Sequence, residues 1–166
     1  MIDPAISIRR LQPDDAASYR ALRLEALERN PESFGASLDG EAAQKLEWFA
    51  ERLQRNAVFG AFADAALIGI AGFRSEEAAK IAHKGLLWGV YVHPAGRGAG
   101  LARILVERVI AHAREHVELL HLSVVSTNER AQRLYAHLGF SEYGIEKHAL
   151  KSGGAYFDKV LMVKFL

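Results

Sequence analysis

The sequence predicts a mixed α/β protein with one domain, and three observations lead to that prediction. The chain has 166 residues, close to the size of one typical domain. Half of its residues are hydrophobic (50%), enough for a sizeable core without disulfides. Strand-like and helix-like apolar patterns follow one another in the order β-α-α-β-β-β-α-β-α-β-β. We therefore expect residues 1–166 to form a single domain, with a mixed central sheet of about seven strands flanked by about four helices.

The first third of the chain is predicted to form a short strand followed by two amphipathic helices. Ile6 and Ile8 alternate with polar residues, as in a strand. Asp14 or Asp15 can cap the first helix, and the step from Asn30 to Pro31 ends it. Residues 32–37 are expected to form a loop, and residues 40–55 a second helix. The apolar positions of the two helices fall mostly at steps of three or four residues: Tyr19, Leu22, Leu24, Ala26 and Leu27, then Leu46, Phe49 and Leu53.

Strands dominate the rest of the chain. Residues 57–62 and 67–73 are short and apolar, with a turn near Asp64, and are predicted to form a hairpin. A longer strand over residues 81–92 ends at His93 and Pro94. A helix over residues 101–116 and a strand over residues 119–126 follow, and then a helix over residues 128–138 that stops at Gly139. Strands over residues 140–148 and 156–165 complete the sheet.

Composition and targeting patterns exclude several classes of protein. The absence of cysteine excludes a disulfide framework, a thiolate zinc site and a cysteine nucleophile. The net charge of +1 gives no support to a general nucleic-acid-binding role. No signal peptide or membrane-spanning apolar segment is recognisable, so we expect a cytoplasmic protein with no membrane or nucleic-acid partner.

A glycine-rich turn over residues 90–102 joins a strand to a helix and is the most informative segment. Gly96, Gly98 and Gly100 allow tight turns and close approach of a ligand to the backbone. The helix that begins here presents free N–H groups and its positive dipole end. With Arg97 and Arg103 nearby, these features predict an anion site suited to a pyrophosphate. A glycine turn that only connects two elements is the alternative.

Two common phosphate motifs do not fit this turn. The Walker pattern is absent, because no Lys-Ser or Lys-Thr pair follows the glycines. The dinucleotide fingerprint fails as well, because the sixth position counted from Gly96 or Gly98 holds Leu101 or Arg103 instead of glycine.

The turn resembles the acetyl-CoA-binding loop of the GNAT N-acetyltransferases. Arg97, Gly100 and Ala102 match the family's [QR]-x-x-G-x-[GA] signature, which is only moderately specific by itself. A second segment, residues 128–140, resembles the family's N-x-x-A-x-x-[LF]-Y-x-x-x-G-F pattern in the right order and at a plausible distance. The order of elements over the whole chain also agrees with the GNAT fold.

The resemblance implies an acetyl-CoA-dependent N-acetyltransferase with acetyl-CoA as co-substrate and no metal. The strand backbone would pair with the pantetheine arm, and an N–H of Val90 or Tyr91 would stabilise the tetrahedral oxyanion. Tyr135 would face the thiol sulfur as general acid. The implied cofactor-binding residues are Val90, Tyr91, Val92, Arg97, Gly98, Ala99, Gly100, Leu101, Ala102, Arg103, Asn128 and Tyr135.

The spacing of Asn128 and Tyr135 is compatible with these roles. The two residues are seven apart, or two helical turns, and so share one face of a helix. Spacing alone allows Tyr135 to be a core aromatic and Asn128 to be a plain N-cap, and Asn128 can serve as both cap and ligand.

Direct attack of a substrate amine on the thioester is the expected route, since no cysteine can hold the acetyl group. The base is left open. Some family members have a glutamate five residues before the asparagine, and others have one early in the central strand; here these positions hold Ser123 and, approximately, Leu86. A water chain, His93, Glu142 or Tyr156 can take the place of that glutamate as the base. These departures disfavour protein N-terminal or histone-lysine acetylation.

Two further sets of side chains bear on metal binding and on the acceptor site. His112, Glu115 and His116 fit an inverted zinc-protease pattern, but no third protein ligand is recognisable, so a polar helix end is expected. Aromatic residues are candidates for the wall of the acceptor site, each with core packing as the alternative: Phe34, Trp48, Trp88, Tyr143 and Tyr156.

The expected function is acetyl transfer to a primary amine of a small molecule or peptide. A non-catalytic acyl-CoA-binding or regulatory module is the main alternative, and a nucleotide-binding domain is the second. Tyr135 favours the enzyme, because a binding module needs no acid there. A homodimer is compatible with the family but is not indicated by the sequence.

Overall fold

The computed structural model describes residues 5–166, over which seven strands form one mixed sheet. The strands are β1 (Ile6–Arg10), β2 (Ala57–Ala63), β3 (Ala66–Ser75), β4 (Lys84–Val92), β5 (Leu119–Val125), β6 (Ser141–Ser152) and β7 (Ala155–Phe165). The α-helices are α1 (Ala16–Arg29), α2 (Leu38–Ala42), α3 (Leu46–Arg55), α4 (Leu101–Arg114) and α5 (Glu129–His137). Short 3-10 turns occupy Pro13–Asp15, Pro31–Ser33 and Pro94–Gly96.

The sheet has the strand order β1-β2-β3-β4-β5-β7-β6, and every neighbouring pair except one is antiparallel. The exception is the parallel pair β4 and β5, which share register positions only at Lys84–Leu119, Gly85–Leu120 and Leu86–His121. Residues 87–92 of β4 have no register partner on β5 in the described chain. The two strands therefore diverge in the middle of the sheet.

A hydrophobic core covers each face of the sheet. On one face, α4 buries Leu105, Val106 and Val109 completely, and Tyr135 and Phe140 belong to the same cluster. On the other face, α1 and α3 pack through Tyr19, Phe49 and Leu53. Both helical layers follow from their apolar stripes, since burying such a stripe is the main favourable term in packing a helix on a sheet.

The predicted fold class, with its mixed seven-stranded sheet, is confirmed, but the second helix is not one helix. Ser37 accepts a hydrogen bond from the Gly40 N–H (3.1 Å) and begins α2 earlier than predicted. A break at residues 43–45 separates α2 from α3, so five helices rather than about four occur in residues 5–166. The break lets Glu41 point inward to Arg23 and Arg52.

Several predicted boundaries also shift. β1 continues to Arg10 because Arg9 and Arg10 pair with β2. β4 begins at Lys84 instead of residue 81, because residues 81–83 lie in a turn in which the Ile81 carbonyl accepts from the Lys84 N–H. Helix α4 ends two residues early, β5 ends one residue early, and β6 extends to Ser152.

Asp15 precedes α1 as predicted, but its side chain does not cap that helix. Its carboxylate accepts hydrogen bonds from Arg9 (2.8 Å) and from the Gln12 N–H (2.7 Å). These bonds lower the pKa of Asp15, with the Arg9 hydrogen bond as the largest cause. None of the helices described is both long enough and apolar enough to cross a bilayer.

Candidate active site

The divergence of β4 and β5 opens a cleft of about 720 Å³ through the middle of the sheet. Both strands line it, together with the glycine-rich turn, α5 and the Pro31–Ser33 turn. Leu101, Val124 and Tyr135 belong to the core on the α4 face, whereas Phe34 and Trp88 pack against the core on the α1 and α3 face. The cleft therefore connects the two faces of the sheet.

A bulge interrupts β4 where it borders the cleft. The register passes from Ile70–Tyr91 to Gly72–Trp88, so Gly89 and Val90 have no register partner of their own on β3. Gly89 adopts a positive φ of 63°, a conformation that glycine takes without steric cost. Because Gly89 and Val90 also lack a partner on β5, their polar backbone groups are placed along the cleft wall.

The glycine-rich turn forms a second set of backbone donors. Gly98 (φ 85°) and Gly100 (φ 71°) are both left-handed, and Gly100 is the N-cap of α4. Among residues 5–166 no protein acceptor is found for the N–H groups of residues 98–103. Successive free N–H groups at a helix N-terminus, with the dipole of α4 behind them, form an anion-binding concavity.

Three arginines on this side of the cleft add positive charge: Arg97, Arg103 and Arg130. Arg97 Nε donates to the Val92 carbonyl (3.2 Å), and its guanidinium lies 6.0 Å from the centre of the Tyr91 ring. Arg103 pairs with Glu107 one turn later (2.9 Å) on the exposed side of α4. The charge of the cleft wall is therefore positive around the free N–H groups.

Asn128 is the N-cap of α5, which is one of the two roles that the sequence allowed for it. Its Oδ1 accepts a hydrogen bond from the Ala131 N–H (3.1 Å), and the residue also lines the cleft. The cap fixes the start of α5 and so the direction in which the helix presents its cleft face.

Tyr135 lies seven residues later on that face and is only 8% exposed. Its ring packs edge-to-face on Phe140, with centroids 5.9 Å apart. Burial raises the pKa of Tyr135 to about 12, so its hydroxyl stays protonated at neutral pH. Tyr135 is both a core aromatic and a cleft residue, so core packing does not exclude a role in the cleft.

The cleft brings together all the predicted cofactor-binding residues except one. Ala99 is not among the lining residues; those that line it are Val90, Tyr91, Val92, Arg97, Gly98, Gly100, Leu101, Ala102, Arg103, Asn128 and Tyr135. The Tyr91 ring itself points away, into the core on the α1 face, where burial raises the pKa of its hydroxyl.

Two charged residues of the cleft, Glu32 and Arg130, were not among the predicted site residues. Glu32, in the Pro31–Ser33 turn, is half-buried and is the only carboxylate among the described residues that line the cleft. Asn30, Ser33 and Phe34 lie beside it. The only signal for the turn was the Asn30–Pro31 step, which predicted a helix end but not the direction of the next side chain.

Five other candidate residues for the base or the acceptor wall do not line the cleft. His93 Nδ1 is 2.7 Å from Glu25 Oε1 on the α1 face. Trp48 packs against Phe49 and Arg52, and Tyr143 and Tyr156 are exposed on β6 and β7. Glu142, also on β6, is exposed.

Ser123 does line the cleft, and Leu86 lies just outside it as the register partner of His121. Phe34 and Trp88 are the aromatic candidates that contribute to its wall.

The histidine pair at the C-terminal end of α4 packs against the sheet: His112 lies in the helix, and His116 lies two residues beyond its end. The rings of His112 and His116 stack with centroids 4.2 Å apart, and His116 Nδ1 donates to the His112 carbonyl. His112 also contacts Phe59 and Phe73 edge-on. Over residues 5–166, no group of three His, Asp or Glu side chains is arranged to hold a metal ion.

Comparison with known proteins agrees with this geometry. The model of the acetyltransferase (GNAT) family matches residues 16–140. A mycothiol acetyltransferase from Kineococcus radiotolerans is 34% identical over 128 residues, which are 76% of this chain and 39% of that protein. The chain therefore spans about two fifths of the length of that curated relative.

Solved structures share the fold over nearly the whole chain. A GNAT-family acetyltransferase from Streptococcus pneumoniae has a TM-score of 0.87 at 24% identity, covering 98% of this chain and 100% of its own. A putative acetyltransferase from Salmonella typhimurium, solved with its cofactor acetyl-CoA, has a TM-score of 0.81 at 24% identity, covering 98% and 94%. A ribosomal-protein-alanine N-acetyltransferase from Brucella melitensis has a TM-score of 0.80 at 26% identity, covering 96% and 99%. Since the family model spans most of the sequence and the fold agrees, the chain belongs to the acetyltransferase (GNAT) family.

Proposed function

We propose that the protein transfers the acetyl group of acetyl-CoA to a primary amine of a small molecule or peptide, by direct attack in a ternary complex. The observation that carries this proposal is the cleft between β4 and β5, which has free backbone donors on one side and access from the other face of the sheet. Such a passage lets two substrates meet from opposite faces.

Acetyl-CoA fits the features of the cleft and supplies the acetyl group as a thioester. The free N–H groups of residues 98–103 and the positive charge of Arg97 suit its pyrophosphate. The backbone of Val90, Tyr91 and Val92, unpaired with β5, suits the amide groups of its pantetheine arm. Asn128 borders the same path at the start of α5.

Polar groups at the bulge assist the attack. An N–H of Val90 or Tyr91 donates to the acetyl carbonyl oxygen, where negative charge builds as the nitrogen–carbon bond forms and the carbon–sulfur bond breaks. A donor fixed in the backbone needs no reorganisation during the reaction, which is why such groups lower the barrier effectively.

Tyr135 donates a hydrogen bond to the leaving sulfur. Its pKa of about 12 lies above the value of roughly 8.5 for a thiol, so complete proton transfer from the phenol is unfavourable. The hydroxyl therefore stabilises developing charge on sulfur more than it acts as a strong acid. The ammonium loses two protons in all: one ends on the sulfur, and one goes to water.

A panel assay tests the proposal. Acetyl-CoA at about a hundred times its dissociation constant should stabilise the protein by ~2.7 kcal/mol in thermal unfolding. Release of CoA thiol should then be measured with amines and peptides. Release with at least one amine is expected. Binding without release on any acceptor would favour an acyl-CoA-binding module, and stabilisation by ATP alone would favour a nucleotide-binding domain.

A further inference from the structure

We propose that Glu32 binds the ammonium group of the acceptor, so that the preferred acceptors are primary amines on an apolar or aromatic body without a carboxylate near the nitrogen. The inference rests on the proposed function and adds the chemical class of its second substrate. It follows from the position of Glu32, from the charges of the cleft and from its aromatic neighbours.

Glu32 lies on the face of the sheet opposite to the phosphate-binding side. Its turn is fixed by Pro31 and by the hydrogen bond from the Ser33 N–H to the Asn30 carbonyl (3.0 Å). The turn packs against α1, β5 and β6, next to the strand that contributes Ser123 to the cleft. The carboxylate is therefore placed on a supported turn, at the side from which an acceptor enters.

The charges of the cleft separate by side. Arg103 and Arg130 lie on α4 and α5, where phosphates would bind, and Arg97 lies on the glycine-rich turn with its guanidinium 6.0 Å from the centre of the Tyr91 ring. Glu32 lies on the other side, and among residues 5–166 no Lys, Arg or His lies within ion-pair distance of it. An uncompensated, half-buried carboxylate favours a cationic ligand.

The nearby arginines do not offset this preference. Arg23 and Arg52 both donate to Glu41, and their guanidiniums lie against Phe34 and Trp88. Neither arginine lines the cleft, whereas both aromatic residues do. An acceptor that enters from this face therefore meets the aromatic side chains and the carboxylate before it meets Arg23 or Arg52.

The expected effect falls on binding more than on turnover. A carboxylate stabilises the protonated amine, and the amine must lose that proton before it attacks. Glu32→Gln keeps the size of the side chain but removes its charge and one acceptor oxygen, so it should weaken amine binding at least tenfold. Glu28→Gln is the matched control, because Glu28 is exposed on α1 and does not line the cleft.

Calorimetric titration of 2-phenylethylamine and of phenylalanine into the complex with CoA tests the assignment without turnover. The wild type should bind 2-phenylethylamine at least tenfold more tightly than phenylalanine, which differs by one carboxylate. Glu32→Gln should lose most of this difference, while Glu28→Gln should stay within twofold of the wild type.

Unchanged amine binding in Glu32→Gln, tighter binding of phenylalanine, or no binding of the amine to the wild type would each overturn the assignment. CoA binding by each variant, measured by thermal shift, shows that the variant is folded. A CoA-release assay separates the two proposals. Weaker amine binding in Glu32→Gln with no release from any amine or peptide of the panel would uphold Glu32 and contradict acetyl transfer. Release at subsaturating 2-phenylethylamine that is unaffected by Glu32→Gln would do the reverse.

Discussion

Tyr135 is almost fully buried and yet borders the cleft, so its two roles can be separated by a single substitution. Its ring contributes to the core through Phe140, and its hydroxyl is the only part that can donate to a leaving sulfur. Tyr135→Phe removes the hydroxyl and keeps the ring.

We expect Tyr135→Phe to lower kcat roughly ten- to a hundredfold and to leave acetyl-CoA binding nearly unchanged, because the hydroxyl stabilises charge that develops only as the sulfur leaves. Steady-state kinetics and a thermal-shift titration with acetyl-CoA measure the two effects. An unchanged kcat would contradict the role assigned to the hydroxyl, and a large loss of thermal stability would show that the ring packing had also changed.

At this scale the sequence predicted the residues of the two recognised motifs better than the side chains whose direction depends on tertiary packing. Asn128 and Tyr135 share a helix face by their spacing of seven, and both line the cleft. Glu32 has no such periodicity, because its direction depends on how the Pro31–Ser33 turn packs against β5 and β6. His93 looked available at the end of a strand, but it is paired with Glu25, which is 68 residues away in sequence.

At the scale of elements, the glycine-rich turn and the N-terminus of α4 act together. Gly100 is the N-cap of the helix in a left-handed conformation, and a Cβ added there would meet no heavy atom within 4 Å. Any effect of an alanine at this position therefore comes from the backbone conformation and not from a clash.

Gly100→Ala should lower the free energy of unfolding by about 1–2 kcal/mol, the cost of a left-handed L-residue, and weaken acetyl-CoA binding if the turn relaxes. Gly35→Ala is the control, because Gly35 also has open space around its Cα but no positive φ. Urea unfolding and acetyl-CoA titration of both variants measure the effects. Equal stability of the two variants would show that the turn does not require the left-handed conformation.

The break between α2 and α3 could not be predicted from the apolar pattern of the sequence. The apolar period predicted one helix over residues 40–55, but Glu41 is buried with Arg23 and Arg52, which lie 18 and 11 residues away. The position of the bend depends on this tertiary cluster of charged side chains, and local helix propensity carries no information about such contacts. The long helix α4, whose stripe packs on the sheet, needed only a two-residue correction at its end.

At the scale of the whole molecule, the two cores place different titratable groups inside the protein. His112 lies at the end of α4 against Phe59 and Phe73, and burial lowers its pKa, as do the neighbouring charges of His116 and Arg10. On the other face, burial alone would raise the pKa of Glu41, but Arg23 and Arg52 outweigh it and leave that pKa below its usual value. Both shifts make the stability of the fold depend on pH in the same direction.

Acid should therefore destabilise the protein in two successive ranges of pH. Below about pH 6.5, the ordinary pKa of histidine, the unfolded chain binds a proton at His112 that the folded chain resists, so the free energy of unfolding falls as the pH drops through the lowered folded pKa. The contribution of Glu41 is complete above about pH 4.5 and is lost below it. Melting temperatures measured from pH 8 to pH 3 should decline in this way, and His112→Gln should flatten the decline between pH 7 and pH 5. His137→Gln, which replaces an exposed histidine of α5, is the control for the loss of one histidine. Equal slopes for the wild type and His112→Gln would show that the α4 core does not contribute to the acid sensitivity.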